Sequence, residues 1–289
     1  KIGDFWMAAM DSAQIEKQGL KYLQPLLDEI AAIKDGEGLA KSIRDLHVIG
    51  VETILGMVAG QDDKNSDLMA LHFYQSGLFL DDREYYFKMD SAHLAIREAY
   101  KKLIATDLAL SGMGADSAVY SGEKILELET RLAKAHRKLE DTRDPFKNYF
   151  KLSKNALFDR LPAADLQGFF NAFHFTAVDS VIIHQPEYYQ ALQKELKTTP
   201  LADWQAYVRF RVLIDFSKAL PDSFGRAAFA FNKVIYGVKE RRPRWKRVIF
   251  DEEEQMGELL LAVAVGKAFT VTATEAVLVQ PLALVTTIV

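Results

Sequence analysis

Large apolar residues recur at three- and four-residue spacing through six segments of this chain, and that period commits most of it to amphipathic α-helix. Trp204, Val208, Val212 and Phe216 form an i,i+4 row, and Tyr207, Phe210 and Ile214 widen it until little of the circumference is left for water. Phe224, Ala228, Phe231 and Ile235 make the next stripe, with Gly237 as its C-terminal stop. Leu26, Leu27, Ile30 and Ile33 line one face after Pro25, a residue suited to a first helical turn. Leu39, Ile43 and Leu46 repeat the pattern, as do Tyr100, Leu103, Ile104 and Leu108 after a candidate N-cap at Ser91. Ile125, Leu128, Leu132 and Ala135 complete the set, on a helix where Glu127 and Arg131 stand four apart as an expected ion pair. Trp204, Phe210, Phe224 and Phe231 are expected to share one core. Val51–Val58 reads as a strand, with a partner near Val178–Ile183. The expected fold class is therefore mainly α, with at most a small β element.

A chain of 289 residues can bury a substantial core. The absence of cysteine excludes disulfides, thiolate chemistry and cysteine zinc sites. A net charge of −4 gives no global attraction for nucleic acid. Residues 270–289 depart from the helical pattern, being rich in β-branched residues and carrying one charge, Glu275. Glu275 and Pro281 interrupt them as a transmembrane segment, so no membrane span is expected there.

Two turns carry the most specific motifs. The first is Ile54-Leu-Gly-Met-Val-Ala-Gly-Gln-Asp-Asp-Lys-Asn-Ser66 and the second Gly77-Leu-Phe-Leu-Asp-Asp-Arg-Glu-Tyr-Tyr86. Together they resemble V-G-x-D-D-K-N-S and G-L-x-L-P-D-R-x-Y-Y of the neprilysin-like zinc metallopeptidases, in the helical N-terminal domain. Lys1-Ile-Gly-Asp-Phe-Trp6, Gly19–Asp28, the helix before Arg143-Asp144-Pro145, Pro200–Trp204 and Arg242–Arg247 resemble further segments in the same order. Asp81 stands where that family usually has Pro, and Phe150 where Asn is common.

The resemblance implies a multi-helix covering domain over residues 1–269, incomplete at its start, followed by an atypical apolar tail at 270–289. It implies a substrate-enclosing role in a zinc-dependent metalloendopeptidase acting on oligopeptides. The implied partners are the catalytic zinc domain of the same parent protein and oligopeptide substrates. The parent is expected to be bacterial, periplasmic or secreted, or else cytoplasmic. The alternative is a non-catalytic helical module that binds a peptide or protein.

The family's catalysis needs His-Glu-x-x-His on a helix, two imidazoles holding zinc and a Glu activating its water. None of His47, His72, His93, His136, His174 and His184 is followed by Glu, and no two stand four apart. No catalytic residue, no metal ligand and no cofactor are therefore assigned to this chain, its substrate-binding residues are left unknown, and zinc is implied for the complete parent alone. His136 reads as a solvated or capping residue. Asp62-Asp63-Lys64-Asn65-Ser66 reads as a polar turn satisfying its own amides rather than a cation loop. Asp82-Arg83 and Arg143-Asp144 read as loop ties through Arg–carboxylate bonds. Lys239–Arg247, six basic residues in nine, reads as a solvated helix start with Trp245 packed inward.

Overall fold

The computed structural model describes residues 2–253. Four helices open the chain: α1 (Ile2–Met10), α2 (Ser12–Gln18), α3 (Gln24–Ala31) and α4 (Gly36–Val48). A hairpin follows, β1 (Gly56–Asp62) and β2 (Asn65–Tyr74), then the short α5 (Glu84–Phe87) and two long helices, α6 (Ser91–Leu110) and α7 (Ala115–Ala135). A second mixed stretch holds β3 (Phe150–Ser153), α8 (Lys154–Arg160), α9 (Leu166–Ala172) and β4 (Ser180–Ile183). The helices α10 (Pro186–Thr198), α11 (Leu201–Asp215) and α12 (Asp222–Ile235) come next, and residues 244–253 are again helical. The architecture is mainly α with one small sheet, as the apolar period requires.

The stripes read from the sequence all face inward. Leu27, Ile30, Leu39, Ile43, Leu46, Tyr100, Leu103, Ile104, Leu108, Ile125, Leu128 and Leu132 are buried in one continuous apolar cluster. Trp204, Phe210, Phe224 and Phe231 join it. Phe210, on α11, meets Tyr100 of α6 at 5.9 Å, and Phe231 of α12 meets the same ring at 6.1 Å. Gly122 lets α7 close on α6, since a Cβ there would stand 3.0 Å from the Lys101 carbonyl oxygen.

Local details differ from the periodicity-based reading. The N-cap of α6 is Asp90, not Ser91: its carboxylate accepts from the amides of Ala92 and His93, both at 3.1 Å. Arg131 turns away from Glu127 and donates instead to Glu195 of α10 at 2.8 Å and to Thr199 at 3.1 Å, while Glu127 pairs with Lys124. A partly buried cross-helix carboxylate offers Arg131 more than an exposed neighbour on its own helix. Gly237 does take a left-handed conformation, φ +64°, just past α12.

The sheet is larger than the sequence suggested. Its order is β1-β2-β4-β3, with β1–β2 and β3–β4 antiparallel and β2–β4 parallel. Val51–Leu55 lead into β1 rather than forming it, and β4 coincides with the expected partner segment. The two do not pair: β2 lies between them, as the strand into which the polar turn at 62–66 leads. Leu71, Phe73, Val181 and Ile183 point from the sheet into the apolar cluster. Ile182 points the other way, fully buried yet outside that cluster. Its neighbours on that outer face, by register, are His72 and Lys151.

Two buried groups make the packing testable. Trp204 is 1% exposed and its indole N–H donates to the Glu195 carbonyl at 3.3 Å. Trp204→Ala should lower unfolding stability by roughly 3–5 kcal/mol in a denaturant titration. Asp107, on α6, is fully buried, and neither carboxyl oxygen has a hydrogen-bond partner among the described residues. Burial pushes its pKa up to about 7. Below pH 4 this acid is protonated folded and unfolded alike, and costs nothing by ionisation. As pH rises from 4 to 7 only the unfolded chain ionises, so stability falls, and the loss levels off above the folded pKa. Relative to wild type, Asp107→Asn should gain stability between pH 4 and pH 8 by at most about 4 kcal/mol. Thermal melts across that range check it; a difference independent of pH would contradict it.

Candidate functional site

The outer sheet face begins with His72 in β2. Val58, His72, Ile182 and Lys151 lie side by side across the four strands by register. Alternation along β2 places Tyr74 on the same face, and His184 follows β4 two residues after Ile182. The His184 amide continues the parallel ladder, donating to the Phe73 carbonyl at 2.9 Å, so the ring is held beside β2.

His72 and His184 are both buried, 112 residues apart in sequence, and meet with Nδ1 of His72 2.9 Å from Nε2 of His184. Nε2 of His72 lies 2.9 Å from the Gln61 carbonyl oxygen. A carbonyl only accepts, so that nitrogen carries the proton and Nδ1 of a neutral His72 presents its lone pair to the His184 N–H. Tyr74 stacks on His184 at 4.1 Å between ring centroids. Burial first, then the neighbouring His72, holds His184 at about 4, so it is neutral near pH 7. Asp63, exposed at the tip of the hairpin, brings a carboxylate close: one ligand atom from each of Asp63, His72 and His184 lies within 4.8 Å of the others.

Asp62 anchors the opposite flank. It is buried, accepts from the Lys64 amide at 2.9 Å, from Tyr149 at 3.0 Å and from the Lys151 ammonium at 2.7 Å. Lys64 also lies over the Tyr149 ring at 4.2 Å. The polar-turn reading of 62–66 is thus correct for Lys64 and for Asn65, whose side chain accepts from the Asp67 amide at 3.2 Å. What the turn alone did not reveal is that Asp62 reaches across to β3.

Beside this face, Arg137, Asp141, Lys147 and Phe150 line an open depression of about 390 Å³. Arg137 grips both carboxylate oxygens of Glu187, the Lys147 carbonyl and Asn148. Gln185 donates to the same Asn148 oxygen at 2.8 Å. Arg137 therefore does for residues 137–150 what was expected of Arg143, which is exposed. Asp144 caps the turn instead, through the amides of Phe146 and Lys147. Arg83 donates to the Ala133 carbonyl at 3.1 Å, and Asp82 accepts from the Glu84 amide at 2.9 Å, so that pair also works through backbone.

The remaining histidines are dispersed. His136 is at the α7 C-cap as a buried residue, its Nε2 3.0 Å from the Ser76 carbonyl and its ring edge-on to Tyr188. It is held at about 4 by burial, which answers the choice between solvated and capping. His47 packs against Phe169 and Thr53, and His93 pairs with Asp90. Trp245 is 46% exposed, contrary to the inward packing expected of it. Its basic neighbours hold the fold together: Arg241 bonds Asp222 at 2.6 Å and Arg244 the Ala9 carbonyl at 2.8 Å. No described helix is long and apolar enough to cross a membrane. The 270–289 segment lies outside the described residues.

This face sets two imidazoles beside an exposed carboxylate. Its histidines stand on two strands' ends rather than on one helix, so the residues present do not make the His-Glu-x-x-His centre.

The N-terminal-domain model of peptidase family M13 matches residues 1–286. The chain belongs to that family. Endothelin-converting enzyme 1 of Cavia porcellus is 24% identical over 264 residues, which cover 88% of this chain and 35% of that protein. Neprilysin of Mus musculus is 26% identical over 226 residues, 72% of this chain and 30% of its own length. The zinc metalloprotease Zmp1 of Mycobacterium tuberculosis, in its open state, superposes with a TM-score of 0.85 at 26% identity, over 95% of this chain and 43% of that one. PepO of Lactobacillus rhamnosis shares the fold, with a TM-score of 0.78 at 17% identity. The M13 chain described here thus spans about a third of the curated relatives and about two fifths of the solved ones.

The Asp62 cluster has a defined acid limit. Its hydrogen bonds, that of Lys151 foremost, hold the carboxyl at about 2. A depressed folded pKa stabilises above the unfolded value near 4, and the contribution is lost as pH falls toward 2. Asp62→Asn should therefore lower the melting temperature at pH 7, and the gap to wild type should close as both are measured toward pH 2.

Proposed function

We propose that this chain is the substrate-enclosing part, over residues 1–269, of a zinc-dependent metalloendopeptidase acting on oligopeptides. The observation that carries the reading is the near-complete overlay of this chain on 43% of a zinc metalloprotease, while its own 289 residues hold no His-Glu-x-x-His. A fold shared with that part of a peptidase, without the residues that activate water, suits enclosure and size selection rather than bond cleavage. Catalytic zinc would be held by another part of the parent protein, and that part is the chain's principal partner. The absence of cysteine favours a prokaryotic parent.

The physical role follows from enclosure. A wall of packed helices around a chamber admits a flexible oligopeptide and excludes a folded domain. It also removes water from the bound peptide, which strengthens every polar contact made there. The depression beside Arg137 offers the exposed ring of Phe150, an aromatic surface that suits an apolar or aromatic peptide side chain.

The test is reconstitution. The chain alone should leave a panel of oligopeptides intact. Mixed with the separately produced catalytic half from the same gene, it should associate at micromolar concentration and impose a length limit on the peptides cleaved. Peptide hydrolysis by this chain alone would overturn the reading, as would a catalytic half with the same length limit in its absence.

A further inference from the structure

We infer that Asp63, His72 and His184 form a binding site for one divalent transition-metal ion of the zinc class, separate from the peptidase zinc. The inference rests on geometry this chain supplies by itself. His72 Nδ1 and His184 Nε2 lie 2.9 Å apart, and a carboxylate oxygen of Asp63 completes a set of three within 4.8 Å. Two imidazoles and a carboxylate are ligands that zinc, cobalt, nickel and copper accept readily, and calcium or magnesium do not.

The outer shell is already arranged for it. The Gln61 carbonyl fixes the Nε2 proton of His72, leaving Nδ1 as the bare nitrogen facing His184. His184 frees its Nε2 by carrying its single proton on Nδ1. Tyr74, stacked at 4.1 Å, keeps the His184 ring in plane while that change is made. Two nitrogens bound to one tetrahedral zinc stand about 3.3 Å apart. The rings therefore need to part by a few tenths of an ångström and to tilt until both lone pairs meet at the ion, with the exposed Asp63 side chain swinging in to join them. Gly60 leaves room for this, since even an added Cβ would stay 3.6 Å from the His72 ring. Asp63 is exposed, so the fourth position is open to water.

Such an ion would act as a staple. Asp63 sits at the tip of the β1–β2 hairpin, His72 in the middle of the sheet and His184 past the end of β4. Binding would tie the tip of a hairpin, whose distal half is exposed along β2, to the sheet's central strands. Because it binds the folded arrangement alone, the ion should raise thermal stability with its concentration.

The experiment uses the 289-residue chain, freed of metal by chelator, and zinc and cobalt salts as probes. One equivalent of cobalt should bind with the intense visible absorption of a tetrahedral site, and zinc should displace it. In the same wild-type protein, proton NMR should show the ring signals of two histidines moving with the metal while the other four stay. His72→Ala and His184→Ala should each weaken binding at least about tenfold, a loss of the size that even outer-shell changes produce. Asp63→Asn, at an exposed position that leaves the fold alone, should also weaken it. Absence of stoichiometric binding by wild type would overturn the site, as would binding that survives in the His72→Ala/His184→Ala double variant. Failure here leaves the enclosure reading untouched, because reconstitution does not use these residues.

Discussion

The carboxylate of Glu129 is the point on which the interior is organised. It is fully buried in α7 and accepts from Tyr86 at 2.6 Å, from Tyr100 at 2.8 Å and from the Phe79 amide at 3.4 Å. A carboxyl taken out of water must find partners inside the protein or lose several kcal/mol. Here the partners come from α6, from α5 and from the loop that precedes it, so satisfying one group fixes three segments at once. Burial still pushes its pKa up to about 7, against the opposing pull of the two tyrosines and Arg211. The tyrosines in turn are pushed well above their ordinary value, by burial and then by Glu129 itself, and remain donors throughout the physiological range.

Order spreads from that hub by polar contacts made inside an apolar shell. Tyr86 also accepts from the Leu80 amide, so residues 77–86 have no free choice of path. Gly77 takes φ +86° there, and a side chain would press on Tyr188, Ile54 and Leu132. Tyr207 of α11 reaches the Gly77 carbonyl at 3.0 Å, and Tyr188 of α10 reaches that of Ile54 at 2.6 Å. The segment between α4 and β1 and the loop after β2 are thereby pinned to two helices that follow far along the chain. The sheet is held in place from both ends, and His72 is brought to His184 as a consequence.

The helical frame was legible because burial of a stripe is a local property: each of the faces through Leu27, Ile43, Leu103, Leu128, Val208 and Phe231 repeats within its own segment. The sheet was half legible. Val178–Ile183 is a short β-branched run, while β2 alternates too weakly at Asp67, Leu68 and Met69 to declare itself and is specified by pairing with β1. The Asp-Asp-Lys-Asn-Ser and Asp-Asp-Arg turns announced polar loops but not their partners. Asp62–Lys151, Arg137–Glu187 and Arg131–Glu195 span 89, 50 and 64 residues, and no spacing rule reaches that far. His72 and His184 were visible only as two histidines among six. The parallel pairing of β2 with β4, invisible in the sequence, is what brings His184 onto the Tyr74 ring.

What separates the structural polar groups from the functional candidates is how fully each is partnered. Asp62 and Glu129 have three or more donors apiece, converging from several elements. Those donors tie each carboxylate to fixed neighbours within the protein. The His72–His184 pair is different. Its one shared hydrogen bond uses a nitrogen lone pair that a metal would use better, and Asp63, the nearest carboxylate in the set, is spent on neither ring. The fold has carried two imidazoles out of water and joined them by one hydrogen bond, with the Gln61 carbonyl on the far nitrogen of His72. A cation between them would take the two facing nitrogens as ligands in place of that bond. The family relationship accounts for the helical fold, and the paired imidazoles are a further property of that fold.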